Sequence, residues 1–163
     1  MGGTLLADAN VLVDYARSDR EILRLASEHL GPLSVVSTVL HGEVRQLDDR
    51  ACARLAISVI EPTFDQLAEA IARPRSLSFH DWTCLVVARD DRHTLVTNDK
   101  VLRRACAREP VPTKWGLDLL LDLDLGGHIT RARARRVVGA LRELGQGHVT
   151  ESILERFNRR LGG

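Results

Sequence analysis

The order of apolar and polar positions divides the chain into short buried runs and longer stretches of helical spacing. The run from Thr4 to Asp8 closes on Asp-Ala-Asn and reads as a buried strand. Helical spacing follows through Val11, Leu12 and Tyr15, then Ile22, Leu23, Leu25, Ala26 and Leu30, and ends at Gly31-Pro32. Leu33 to Val36 predicts a second strand with Ser37-Thr38 as turn and cap residues. A helix carrying Val39, Leu40, Val44 and Leu47 comes next, and Ile57 to Ile60 predicts a third strand, stopped by Glu61-Pro62. Helices are expected over Thr63 to Ala72 and Phe79 to about Asp90, with a loop from Pro74 to Ser78 between them. Thr94 to Thr97 predicts a fourth strand, Lys100 to Arg108 a helix, Val111 to about Thr113 a short fifth strand, and Leu117 to Leu123 a further helix.

Strands separated by helices imply parallel pairing with helices on both faces, the α/β class. Gly126-Gly127 marks the edge of the main unit. The expected organisation is therefore a domain over residues 1–125 and a C-terminal extension over residues 126–163. The extension shows two helical patterns, about Thr130–Leu144 and Thr150–Leu161, joined by Gly145-Gln146-Gly147, with Thr150-Glu151-Ser152 offering a cap. Two short helices cannot hide much apolar surface alone, so they are expected to pack on the main body.

Size and composition narrow the picture only a little. A chain of 163 residues suggests one domain with an appendage. No apolar run approaches the roughly 20 residues of a membrane helix. The start of the chain lacks the basic and long apolar regions of a secretory signal, so cytoplasm is the expected location. Cys52, Cys84 and Cys106 match neither a disulfide framework nor a zinc spacing and read as small buried thiols. The net charge of +1 hides an asymmetry. Residues 1–125 carry 15 basic and 19 acidic groups (−4), whereas residues 126–163 carry 8 arginines and 3 glutamates (+5). An acidic body with a basic tail can combine a cation site with a handle for a polyanion.

The candidate chemistry lies in the carboxylates. Ligands of open parallel sheets bind beyond the carboxyl ends of the strands, and Asp8 and Asp99 each follow a predicted strand. Glu43 lies three residues after Leu40 and four before Leu47, which puts it on or beside the apolar stripe of its helix. Asp81 precedes Leu85 by four and Ala88 by seven, with the same consequence. Each acid has a simpler alternative. An aspartate after a strand is a favoured helix cap, Ser78 and Asp81 have the spacing of a capping box, and Glu43 can pair with an arginine. Together the four point to one anionic pocket, in which close like charges raise each other's pKa. All-oxygen ligands favour Mg²⁺ or Mn²⁺, one or two ions, over Zn²⁺. Asn10, Ser37, Thr97 and Asn98 stand beside the acids as groups able to orient them, although Asn10 and Ser37 can equally serve as turn caps.

These motifs resemble a known family. Leu5-Leu6-Ala7-Asp8-Ala9-Asn10-Val11-Leu12 resembles the opening strand and Asp-x-Asn of PIN domains. Ser37-Thr38-Val39-Leu40-His41-Gly42-Glu43-Val44 resembles their second acidic motif, and Asp81 with Leu85-Val86-Val87-Ala88-Arg89 their third. Leu95-Val96-Thr97-Asn98-Asp99-Lys100-Val101-Leu102 is similar to the fourth and is the most specific of the set. The resemblance covers about residues 4 to 120. It implies a three-layer α/β/α sandwich with a five-stranded parallel sheet in order 3-2-1-4-5, and a Mg²⁺- or Mn²⁺-dependent endoribonuclease whose metal and catalytic residues are Asp8, Glu43, Asp81 and Asp99. Small members of this kind are often VapC-like toxins that form homodimers and are silenced by a VapB-like antitoxin. Other PIN domains serve in RNA processing, and the basic tail exceeds the compact toxin pattern.

Other readings stay open. A haloacid-dehalogenase-like phosphatase also opens with an aspartate after a first strand, but here Asn10 stands where its second aspartate is usual. A non-catalytic module could bind RNA or protein through the tail, where Arg131, Arg133, Arg135 and Arg136 form either a phosphate contact or a solvated face. Asp14 reads as solvated, Asp90-Asp91-Arg92-His93 as a surface turn, and His80 as an exposed helix-start residue. Trp82 and Trp115 are expected in the core or an interface.

Overall fold

A computed structural model of the chain describes residues 3–144 and 151–162. Five parallel strands form one sheet in the order β3-β2-β1-β4-β5: β1 (Leu5–Ala7), β2 (Leu33–Val36), β3 (Ile57–Ile60), β4 (Thr94–Val96) and β5 (Thr113–Lys114). Leu5 pairs with both Leu33 and Thr94, so β1 is central and buried throughout. The expected α/β class and strand order hold. Two details differ. The fifth strand lies at Thr113–Lys114 rather than 111–113, because Val111 is an apolar anchor in the approach to the strand, its N–H held by the carbonyl of Cys106.

The first helical stretch is two helices, α1 (Ala9–Ser18) and α2 (Glu21–His29). Asp19 separates them in an extended conformation, its Oδ1 accepting from the Glu21 N–H at 3.2 Å. Helix α3 (Ser37–Glu43) is shorter than its apolar spacing predicts. Val44 and Leu47 are buried as expected, but from the turn beyond α3, and an unforeseen helix α4 (Asp49–Arg54) follows, capped by Asp48. Apolar spacing alone does not separate a continued helix from a buried turn.

The remaining helices are α5 (Phe64–Ile71), α6 (Phe79–Asp90), α7 (Lys100–Arg108), α8 (Gly116–Leu125), α9 (Arg131–Glu143) and α10 (Glu151–Gly162). Helix α6 packs between α5 and α7 and against β2 and β4, with Trp82 to Ala88 all buried. Its central stretch is buried on every side because the sheet and helices enclose it. Right-handed crossovers in opposite directions along the sheet put α1 and α2 on one face and α6 and α7 on the other.

The tail is built into the first of these faces. Helix α9 packs on α1 and α8, burying Ala134, Val137, Val138 and Leu141 at helical spacing, and α10 packs on α8 through Leu154, Phe157 and Leu161. The connection at Gly145-Gln146-Gly147 and the cap expected at Thr150 lie outside the described residues. Arg133 grips Asp19 with two bonds, at 2.8 and 3.1 Å, Arg131 reaches Asp124 at 3.3 Å, and Arg160 reaches Asp118 at 2.9 Å. Part of the basic surplus of the tail is thus neutralised by the acidic body, whereas Arg135 and Arg136 of the four-arginine run form no ion pair among the described residues. The packing of α9 on α1 also corrects the expectation for Asp14, which is buried at 5% exposure on the covered helix. His93 is buried too, its Nδ1 2.7 Å from Thr4 Oγ1, so the expected surface turn is exposed only through Asp90, Asp91 and Arg92.

Phe157, 2% exposed, joins the core to which the body contributes. Its replacement by alanine is expected to lower unfolding stability by about 3–5 kcal/mol in one cooperative urea transition. A separate early transition for the tail, or an unchanged midpoint, would contradict this docking.

Candidate metal centre at the carboxyl rim of the sheet

The strand order reverses beside β1: the chain moves outward through β2 and β3 and returns to add β4 on the other side. The crevice beyond the carboxyl ends of β1 and β4 is the expected ligand position for such a sheet. Asp8 stands there, immediately after β1, and its own N–H is bonded to the Val96 carbonyl of β4 at 3.0 Å. The residue is 3% exposed. Oδ1 accepts from the Ala9 N–H at 2.7 Å, capping α1, and Oδ2 accepts from the Thr97 hydroxyl at 2.9 Å.

Burial, and then the charge of Asp81, push the Asp8 carboxyl up from 3.8 to about 7. The bonds from Thr97 and Ala9 oppose this rise without cancelling it, and Glu43 adds to it. Three acids from three elements are therefore close enough for their charges to interact: Asp8 after β1, Glu43 at the last residue of α3 and Asp81 in the first turn of α6. Beneath them Cys84 is fully buried, its thiol held well above its usual value by burial and by these same three carboxyls.

Asp81 also completes the capping box foreseen from Ser78, accepting from the Ser78 N–H at 3.4 Å while Ser78 Oγ accepts from the Asp81 N–H at 3.0 Å. The cap fixes where Asp81 stands. Glu43 is 35% exposed at its side chain and pairs with no arginine among the described residues; instead its Oε1 lies 4.0 Å from His80 Nε2. Burial raises its pKa, with the His80 charge lowering it and Asp81 raising it.

Asp99 stands one step away. Its Oδ1 caps α7, accepting from Val101 at 2.8 Å and Leu102 at 3.0 Å, and it is not among the acids whose charge reaches Asp8. Thr97 joins the two positions, since the hydroxyl that donates to Asp8 accepts from the Asp99 N–H at 3.1 Å. Of the supporting residues, Thr97 thus orients an acid. Asn98 instead accepts from the Gly116 N–H at 2.8 Å and holds the start of α8. Ser37, expected as a cap, donates to Glu61 at 2.8 Å, and Asn10 is exposed.

His80 is the site residue that sequence reasoning passed over. It is half-buried, and a Cβ on Gly42 would lie 3.0 Å from its Cε1, so the missing side chain at position 42 leaves room for the ring beside Glu43. That contact is tertiary, and no spacing along the chain announces it.

Among the described residues no group of three or more histidine, cysteine, aspartate or glutamate side chains stands close enough together to hold a metal ion. The donor chemistry nevertheless fits a hard divalent ion. The three converging groups offer oxygen only, and Asp8 has lone pairs beyond the two it commits. Two buried polar atoms nearby in the chain, Thr38 Oγ1 on the first turn of α3 and His80 Nδ1, lack a partner among the described residues, as expected where water or a ligand completes a site.

Since the folded protein binds the Asp8 proton more tightly than the unfolded chain, the resulting stabilisation is complete below pH 3.8. It is lost as pH rises through about 7. In chelator, the stability of the unsubstituted protein relative to Asp8→Asn is expected to fall by about 2–3 kcal/mol between pH 5 and pH 8, read from denaturant midpoints. A difference independent of pH would show that Asp8 is not held protonated.

No protein-family model matches the sequence, and comparison with curated proteins finds no match.

Proposed function

We propose that this protein is a metal-dependent endoribonuclease of the PIN type. The observation that carries the reading is the convergence of Asp8, Glu43 and Asp81 at the switch point of the sheet, with Asp8 too buried to hold its charge unaided. The order and spacing of the four acidic motifs support it, as does a sheet order equal to the one the resemblance implies.

Asp8, Glu43 and Asp81 would hold Mg²⁺ or Mn²⁺, with Asp99 available across Thr97. When bound, such an ion supplies Lewis acidity toward a phosphodiester and the water that attacks it. The chain's own part is positional. Thr97 and the Ala9 N–H fix both oxygens of Asp8, and the capping box fixes the backbone that carries Asp81. Glu43, beside His80, orients water and accepts its proton at Oε1.

Incubation with single-stranded RNA is expected to give cleavage in Mn²⁺ or Mg²⁺ and none in chelator. Asp8→Asn and Asp81→Asn should each reduce the rate at least about 100-fold while the proteins remain folded by circular dichroism, and Mn²⁺ should raise the melting temperature of the unsubstituted protein but not of Asp8→Asn. Full activity of Asp8→Asn would refute the assignment. RNA retention without cleavage in any divalent ion would favour the non-catalytic module instead.

The reading assigns the protein to the cytoplasm, which three free, buried cysteines support. Among the described residues no helix is long and apolar enough to cross a membrane. Its toxin form further implies a VapB-like antitoxin that enters the acidic crevice, and a homodimer. For the dimer, one face of α5 is suited to a second copy: Phe64 and Ile71, 84% and 71% exposed, lie two turns apart with Leu67 between them. Phe64→Glu with Ile71→Glu is expected to convert a dimer to a monomer in sedimentation; an unchanged mass would place any dimer contact elsewhere.

A further inference from the structure

Beside the acidic rim lies a surface of opposite charge. Lys100, Arg103 and Arg104 on the first turns of α7 line a shallow concavity with Trp115, the residue between β5 and α8. The Arg103 guanidinium lies over the Trp115 ring, 3.8 Å from its centroid. Burial lowers the Arg103 pKa, and the charge of Arg156 from α10 lowers it further. The Asp118 charge opposes this lowering, and two cations that face one another attract an anion between them. The carboxylate whose charge reaches Arg103, Asp118, is already engaged by Arg160 at 2.9 Å and by the Trp115 N–H at 3.2 Å. Among the described residues Lys100, Arg103, Arg104 and Arg156 form no ion pair.

The position of this surface is fixed relative to the acids by one residue. Arg103 donates to the Thr97 carbonyl at 3.3 Å, and the Thr97 hydroxyl donates to Asp8 at 2.9 Å. Lys100 directly follows Asp99. Trp115 is placed from the other side, because the next residue, Gly116, is held by Asn98 and accepts from the Tyr15 hydroxyl at 2.5 Å. A cationic, aromatic patch is therefore joined to the carboxylate rim through the ends of β4 and β5.

We infer that Trp115 and Arg103, flanked by Lys100, Arg104 and Arg156, form a binding platform for single-stranded RNA leading to the acidic rim. This rests on the nuclease reading for its substrate and deepens it by naming the path. A planar guanidinium stacked on an indole extends the ring, so a base can continue the stack while the flanking cations hold phosphates. Charge complementarity and aromatic interleaving favour a single strand over a duplex, whose bases are already stacked. The tail acquires a role here, since α10 carries Arg156 and lines the neighbouring groove with Ile153, Phe157 and Arg160.

The test measures binding in chelator, where no cleavage intervenes. A labelled single-stranded RNA of about ten nucleotides is titrated by fluorescence anisotropy, and protein tryptophan emission is recorded in parallel. Trp115→Ala is expected to weaken binding at least tenfold, and the RNA-induced quenching should vanish in Trp115→Phe while much of the affinity remains. The exposed pair Lys100→Ala and Arg104→Ala should each lower the salt dependence by about one released ion, and their exposure makes them safe controls for folding. Equal affinity for the single strand, a duplex and heparin, or RNA binding that none of these variants alters, would overturn the platform. Two outcomes separate it from the nuclease reading. Cleavage of RNA that is insensitive to Trp115 and to these cations sinks the platform and leaves the nuclease, whereas binding through Trp115 with no cleavage in any divalent ion sinks the nuclease and leaves the platform.

Discussion

A carboxyl group at the end of the central strand, 3% exposed and beside two further acids, sets the terms for the rest of this structure. An ionised group so placed is stable only if something compensates it, and the hydrogen bonds from Ala9 and Thr97 are outweighed by burial and by Asp81. Two states resolve the conflict. In one, Asp8 keeps a proton near neutral pH; in the other, a cation replaces that proton. Competition between them is a general property of buried oxygen sites, in which cation binding expels protons. Cys84 beneath the acids carries the same constraint further inward, since a thiolate there would add a fourth negative charge to a buried cluster.

Thr97 and Gly116 transmit this arrangement to the neighbouring elements. Thr97 holds Asp8 by its hydroxyl, Arg103 by its carbonyl and the Lys114 carbonyl of β5 by its N–H, so one residue orders acids, cations and the edge strand together. Gly116 is a close-approach position. A Cβ there would lie 2.9 Å from Asn98 Nδ2 and 3.3 Å from Val11 Cγ2, both parts of packed elements. The absence of a side chain lets α8 start against β4 and α1, and α8 in turn supplies the surface on which α9 and α10 dock. The tail is thus coupled to the rim through both α8 and α1.

Much of the fold was legible because strands and helices announce themselves through local spacing. The second and third strands and helix α7 fall where the apolar pattern puts them. What escaped is what depends on neighbours. Asp14 occupies a polar-looking helical position and is buried, on a helix packed by α2, α3 and α9. Arg131 and Arg133 look like a solvated run, yet each has an acid waiting on the body. At the site, the convergence of Asp8, Glu43 and Asp81 was readable from strand ends and helical faces. The offset of Asp99, the rotation of Asn98 toward α8 and the place of His80 in the lee of Gly42 were not, since each is decided by side chains far apart in sequence.

The capping and ligand-binding alternatives for the aspartates turn out not to compete. Asp8, Asp81 and Asp99 all satisfy N–H groups at helix starts, and the parallel sheet brings the first and last of these starts to the same rim. An N-terminus carries partial positive charge, which suits a carboxylate there and suits a phosphate equally well. A cap uses one or two lone pairs and fixes the side chain, leaving others free. Capping is therefore the means by which a chain can hold acids stiffly at a rim without a cation, and it accounts for where Asp99 Oδ1 points. It does not explain Asp8. A capping aspartate needs no burial, and its bond to the helix lowers its pKa; the excess that lifts Asp8 to about 7 comes from enclosure and from Asp81, neither of which helps α1 to form. That excess separates Asp8 from an acid whose role ends at the cap.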